Sequence, residues 1–155
     1  MPTKRLKEFL DSNKVKYVAI AHSQAFTAQE IAASAHIPGK QLAKTVMVTL
    51  NGEMAMAVLP ATHHVDLRLL KKAAGVKKVA LAGEKEFKDL FPDCEIGAMP
   101  PFGNLYDLKV YVADSLAEDD EIAFNAGSHT ELIKMTYADF ERLVKPKVVD
   151  LSLVV

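Results

Sequence analysis

The chain has 155 residues, 50% hydrophobic and 25% charged, with a formal net charge of −1. That length suits one domain spanning 1–155, whose folding removes roughly 68–70% of the unfolded chain's surface from water. The balance excludes intrinsic disorder, a repeat array and the broad basic field of a protein that coats nucleic acid, so DNA is not an expected partner, although a local basic patch remains open.

"MPTKRLKEFLDSN" interrupts its apolar residues with charges in every helical turn, so neither a secretory signal nor a membrane span is expected, and the reading is cytoplasmic with no membrane partner. Leu6, Phe9 and Leu10 stand at i, i+3 and i+4 and predict a helix over 3–12, followed by a strand in "KYVAIAH". Thr27 and Glu30 form a capping box that opens a second helix, which runs to Pro38-Gly39. "KTVMVTL", Asn51-Gly52 and "EMAMAVL" predict a hairpin closed by a type I′ turn, with Leu50 opposite Glu53, Val48 opposite Ala55, Val46 opposite Ala57 and Lys44 opposite Leu59.

A helix over 66–74 ends at Gly75, with Leu67, Leu70 and Ala74 on one side. Arg68, Lys71 and Lys72 form the opposite ridge, which Lys77 and Lys78 extend. "KVALAG" reads as a strand and "EKEFKDLF" as a helix stopped by Pro92. Cys94, the single cysteine, cannot form an internal disulfide; packing is its expected role, with a catalytic thiol as the alternative. After "EIGAMPPFG" come strands in "LKVYVAD", "EIAFNAG" and "TELIKM", a helix capped by Thr136 in "TYADFERLV", and a terminal strand or arm in "KVVDLSLVV". Interleaved helices and strands with a central hairpin predict an α+β fold, a mixed or mostly antiparallel sheet covered by helices.

Two features carry chemistry. By period two, Lys44 shares a strand face with Val46, Val48 and Leu50, the face expected to point into the core. It is read either as a lysine snorkelling at a strand end or as a cation at the mouth of a cavity. In "EIGAMPPFG", Pro100 and Pro101 fix two φ angles and lack N–H groups, which leaves the amides of Gly97, Ala98 and Met99 as the expected free donors. The loop is either a plain connection or a stiff wall that presents donors to a developing oxyanion.

"LAKTVMV" before the Asn-Gly hairpin, then "GAMPPFG", then "AFNAGSHTELIKM", in that order, resemble the YbaK/prolyl-tRNA synthetase-associated domain family, free-standing relatives of the editing domain inserted in bacterial prolyl-tRNA synthetases. The resemblance implies a sheet curled into a partial barrel and a trans-editing hydrolase that cleaves the ester of a mischarged aminoacyl-tRNA, with tRNA-Pro among the candidate carriers and an aminoacyl-tRNA synthetase among the candidate partners. It sets the family's lysine on Lys44 and its GxxxP loop on Gly97, Ala98, Met99, Pro100 and Pro101. It also sets a pocket-side turn on Gly127, Ser128 and His129, and further substrate contacts on His22, Phe26, Thr27 and Thr45. Water attacks the ester with help from the terminal ribose hydroxyl, Gly97 faces the carbonyl, and Lys44 anchors the aminoacyl end; no cofactor takes part.

Ala98, Met99 and Phe102 are candidate gauges of side-chain size, Phe102 serving equally well as core. The tRNA is expected over Arg68, Lys71, Lys72, Lys77 and Lys78, for which a solvated face is the alternative. His22, His63, His64 and His129 lack metal-ligand spacing, so no metal is expected. A module that binds aminoacyl-tRNA or a synthetase without hydrolysis is the alternative function.

Overall fold

The computed structural model describes residues 4–21, 40–92, 94–95 and 98–154. Helix α1 (Lys4–Ser12) buries Leu6 and Leu10, and strand β1 (Tyr17–Ala21) follows it. The helix expected from Thr27 lies outside the described residues. Strands β2 (Leu42–Leu50) and β3 (Glu53–Pro60) form the hairpin in the register expected from the turn, all four pairs included. Asn51 and Gly52 take φ angles of 53° and 84°, which the Asn-Gly pair tolerates where other side chains are strained.

Strand β4 (His63–Val65) leads into α2 (Leu67–Ala74), which starts one residue later than expected because Asp66 is its cap, accepting the Leu69 N–H at 2.9 Å. Strand β5 (Val79–Leu81) precedes α3 (Glu84–Phe87), which tightens into a 3-10 turn over Lys88–Leu90 rather than continuing as one helix. Then come a 3-10 turn over Gly103–Leu105, β6 (Lys109–Ala113), the short α4 (Asp114–Ala117), β7 (Glu121–Asn125) and β8 (Glu131–Thr136). Helix α5 (Tyr137–Val144) is capped by Thr136, whose hydroxyl accepts the Asp139 N–H at 3.2 Å. The expected terminal arm is two strands, β9 (Lys147–Val149) and β10 (Ser152–Val154).

The large sheet runs β1-β8-β7-β2-β3-β6-β9, with β5 also on β2, while β10 pairs with β4 in a separate two-stranded sheet. Of the expected alternatives the sheet is the mixed one, and the curled antiparallel sheet or partial barrel is corrected. Among the described residues β2 runs parallel to β7, and β6 runs parallel to both β3 and β9, so the sheet is mixed. Among the described residues it is also open, with β1 and β9 as its outer strands. Parallel neighbours need a crossover of a dozen or more residues; each of these pairs is joined by such a stretch, and no short turn announces it.

Both faces of the sheet are buried. The main core gathers Ala43, Met47, Met56, Val58, Ile122, Phe124 and Ile133 under α1 and α5. A smaller one gathers Val48, Leu50, Ala57, Leu59 and Leu151 under Leu70 of α2. The face Lys44 shares is therefore the lesser core, and the larger lies on the opposite side. Residues 98–103 of the Gly/Pro stretch are buried throughout; prolines make that less costly because they bring no N–H in need of a partner. Phe102 is fully buried among the rings of Phe9, Phe124 and Phe140, which makes it core. A Cβ on Gly103 would stand 2.6 Å from Val110 Cγ2 and 2.7 Å from the Leu108 carbonyl oxygen.

Candidate active site

One edge of β2 is shared between two strands that never meet. Pairing with β7 stops at Ala43↔Phe124, and pairing with β5 begins only at Val48↔Leu81. Lys44 is the first residue inside that opening. Because Ala43 and Phe124 face the main core, alternation sends Lys44 to the other face. There it is half-buried and enters no ion pair among the described residues. Burial pushes its ammonium below the usual lysine pKa, and no neighbouring carboxylate among the described residues offsets the shift.

The same end of β7 carries a pair of interlocked loops. Gly127 adopts φ 97°, a conformation that suits glycine. Its N–H donates to the Ala98 carbonyl at 2.9 Å, and its own carbonyl accepts the Glu95 N–H at 2.8 Å. The Glu95 carboxylate in turn accepts the His129 N–H at 3.3 Å and lies 3.9 Å from that buried imidazole's Nε2. The Ser128 hydroxyl sits 2.9 Å from that of Thr130 and accepts the Thr130 N–H at 3.1 Å, which stiffens the turn.

The structure thus brings Lys44, Ala98 and the Gly127–His129 turn to one end of β2 and β7, and the buried Met99, Pro100 and Pro101 continue from Ala98. Two expectations change. The Ala98 N–H is engaged, donating to the Glu95 carbonyl at 3.0 Å, whereas the Met99 N–H finds no acceptor among the described residues. Met99 also commits its side chain to the main core, which leaves it unsuited to gauging a substrate side chain. Thr45, opposite the main-core residue Val58, points away from Lys44. Gly97, His22, Phe26 and Thr27 lie outside the described residues.

Four of the five expected tRNA-binding cations surround one groove of about 570 Å³, lined by Thr49, Gly52, Arg68, Lys71, Lys77 and Lys78 among others. Lys72 is exposed on α2 but outside this lining. Asn51 organises the groove: its side-chain oxygen accepts the N–H groups of Lys77 at 3.1 Å and Lys78 at 3.0 Å, and its own N–H reaches the Lys78 carbonyl at 2.8 Å. None of the four enters an ion pair among the described residues. From Lys44 to Thr49 along β2 is about 17 Å at the usual strand rise of ~3.3 Å per residue.

Two other reactive side chains are engaged by hydroxyls. Cys94 Sγ is 3.4 Å from the Tyr106 hydroxyl beside the main core. His63 Nδ1 is 2.8 Å from the Ser152 hydroxyl in the small sheet. No cluster of three His, Cys, Asp or Glu side chains suited to a metal occurs among the described residues, nor does a helix long and apolar enough to cross a membrane.

A half-buried cation and a hydrogen-bonded main-chain turn thus stand at one end of β2 and β7. A sequence profile of the aminoacyl-tRNA editing domain matches residues 22–143, and the chain belongs to that family and is an aminoacyl-tRNA deacylase. Among its relatives is the multifunctional Ser/Thr-tRNA deacylase ProXp-y of Escherichia coli K12, 34% identical over 116 residues that cover 71% of this chain and 68% of the relative. The fold is shared with the crystal structure of a hypothetical protein, at a TM-score of 0.87 and 20% identity over 97% of this chain and 100% of the other. It is shared too with a candidate trans-editing enzyme for prolyl-tRNA synthetase, at a TM-score of 0.83 and 21% identity over 98% and 97% of the two chains.

Proposed function

We propose that the protein is a free-standing trans-editing enzyme that removes a small, hydroxyl-bearing amino acid from a mischarged tRNA. The observation that carries this reading is the meeting, at one end of β7, of a half-buried ammonium and the interlocked Gly127 and Ala98 loops. Lys44 anchors the aminoacyl end of the tRNA by its charge. A water, positioned with the help of the terminal ribose hydroxyl, attacks the ester carbonyl carbon. The negative charge that develops on the carbonyl oxygen is met by the main-chain N–H groups of Gly97 and Met99. Collapse of the tetrahedral species expels the 3′-oxygen, which takes up a proton, and the products are free amino acid and intact tRNA.

The Arg68, Lys71, Lys77 and Lys78 groove receives backbone phosphates of the same tRNA, which fixes orientation without reading bases. The name of the E. coli relative supports serine or threonine as the acyl group. The likeness to a candidate trans-editing enzyme for prolyl-tRNA synthetase makes tRNA-Pro and that synthetase the first carrier and partner to try. The enzyme acts as a single cytoplasmic domain, and no cofactor enters the scheme.

The test is a panel of mischarged tRNAs, scored separately by amino acid and by tRNA. The proposal expects at least one ester to disappear well above its spontaneous rate. Retention of tRNA with every ester decaying spontaneously would replace the enzyme with a binding module.

A further inference from the structure

Asn125, the last residue of β7, is a polar side chain at the end of a strand whose Ile122, Phe124 and Ala126 neighbours all serve the main core. Alternation therefore puts Asn125 on the opposite face, the one Lys44 occupies. Lys44 and Asn125 each follow directly on the last parallel pair, Ala43↔Phe124, so they stand next to each other on one face just where the two strands cease to pair. Asn125 is in turn opposite Leu132 on β8, and Lys44 opposite Leu59 on β3. Four side chains thus stand in a row across four strands: an apolar one at each end, both fully buried, and two polar ones between them.

The Asn125 side-chain oxygen is buried and has no hydrogen-bond partner among the described residues. Lys44 enters no ion pair among them. A buried carbonyl oxygen left without a donor is costly, so one kept beside a cation calls for a functional explanation. A ligand suited to this pair would bring an acceptor for the ammonium and a donor for the amide oxygen, with enough hydrocarbon to sit between two leucines. The donor is better neutral than charged, because a second cation would stand within a few ångströms of Lys44.

We propose that Asn125 is a substrate-reading residue, its side-chain oxygen accepting a hydrogen bond from a hydroxyl on the acyl group while Lys44 holds the aminoacyl end. This rests on the deacylase reading above and adds to it the residue that separates hydroxylated acyl groups from apolar ones of similar size. Size alone discriminates poorly between such groups. A polar atom left unpaired by the wrong substrate discriminates far better, by up to ~10⁴-fold or more in sites built for a hydroxyl.

The experiment charges one tRNA with seryl, alanyl, threonyl and 2-aminobutyryl groups and compares kcat/KM within the two pairs that differ by a hydroxyl. Wild type is expected to favour the hydroxylated member by about tenfold or more. Asn125→Leu should bring both ratios to within about threefold, the loss falling mainly on the seryl and threonyl esters, and Asn125→Gln, which keeps a neutral amide acceptor, should retain more of the preference than the leucine variant. Asn125→Ala serves if the leucine variant melts early. The assignment is overturned if a folded variant lacking the amide keeps the wild-type ratios, if all four rates fall in parallel, or if wild type cleaves all four esters alike. Wild type leaving every ester intact would instead overturn the deacylase reading itself, and the assignment with it.

Discussion

At Lys44 two demands oppose each other, since the cation that would serve the ester is also one the folded chain holds at a cost. Burial lowers its pKa beneath 10.5, so between that lowered value and 10.5 the unfolded chain binds more protons than the folded one, and this residue makes stability rise with pH across the window. Lys44→Met removes the effect. The variant should be at least as stable as wild type at pH 7, with its advantage shrinking as pH approaches 10.5, measured by denaturant unfolding at a series of pH values. Deacylation should fall by roughly 10²-fold or more, the usual loss when a charge-stabilising group is removed. Gly127 is a separate case. At φ 97° an alanine would be strained by about 1–3 kcal/mol, so Gly127→Ala should lower the melting temperature and slow turnover together, because the same residue ties the two loops.

Among the elements, the hairpin shows how one turn serves two purposes. Its Asn-Gly pair sets the β2–β3 register, and the asparagine then turns its side chain to the backbone of Lys77 and Lys78. Asn51→Ala should cost about 2 kcal/mol, from two broken hydrogen bonds and an alanine in the left-handed region. It should also weaken tRNA binding measured at constant salt while leaving cleavage at saturating tRNA nearly unchanged, since Lys44 sits near the other end of β2. The buried 98–103 segment is less forgiving. Phe102→Ala empties a site between three rings and should cost about 3–5 kcal/mol, read from denaturant midpoints.

For the whole molecule, a net charge of −1 hides a strong local asymmetry: four cations line one groove without an ion-pair partner among the described residues. If they neutralise phosphates, replacing Lys71 and Lys78 with glutamine should flatten the slope of log K against log salt by roughly 0.7–0.9 for each phosphate no longer neutralised. Filter binding across a salt series measures it, and an unchanged slope would return the ridge to a solvated face. The long crossovers that make the sheet mixed also open β2 between β7 and β5, so fold and site share one cause: a central strand with different partners on the two halves of one edge.

Local rules made part of this protein legible in its residues alone. Asn51-Gly52 fixed the hairpin register, Thr136 fixed a helix start, Gly75 fixed a helix end, and the ordered motifs around Lys44, Gly97 and Gly127 carried the family resemblance. Each depends on residues a few positions apart, where turn angles and side-chain spacing act directly. The three-residue β4 and four-residue α4 were too short to display a period. The parallel junctions, the burial of both faces of β2 and the engagement of the Ala98 amide were decided only by tertiary structure, as was the standing of Asn125 beside Lys44. Those relations join segments far apart in the chain, and no local pattern records which distant strand will pack alongside.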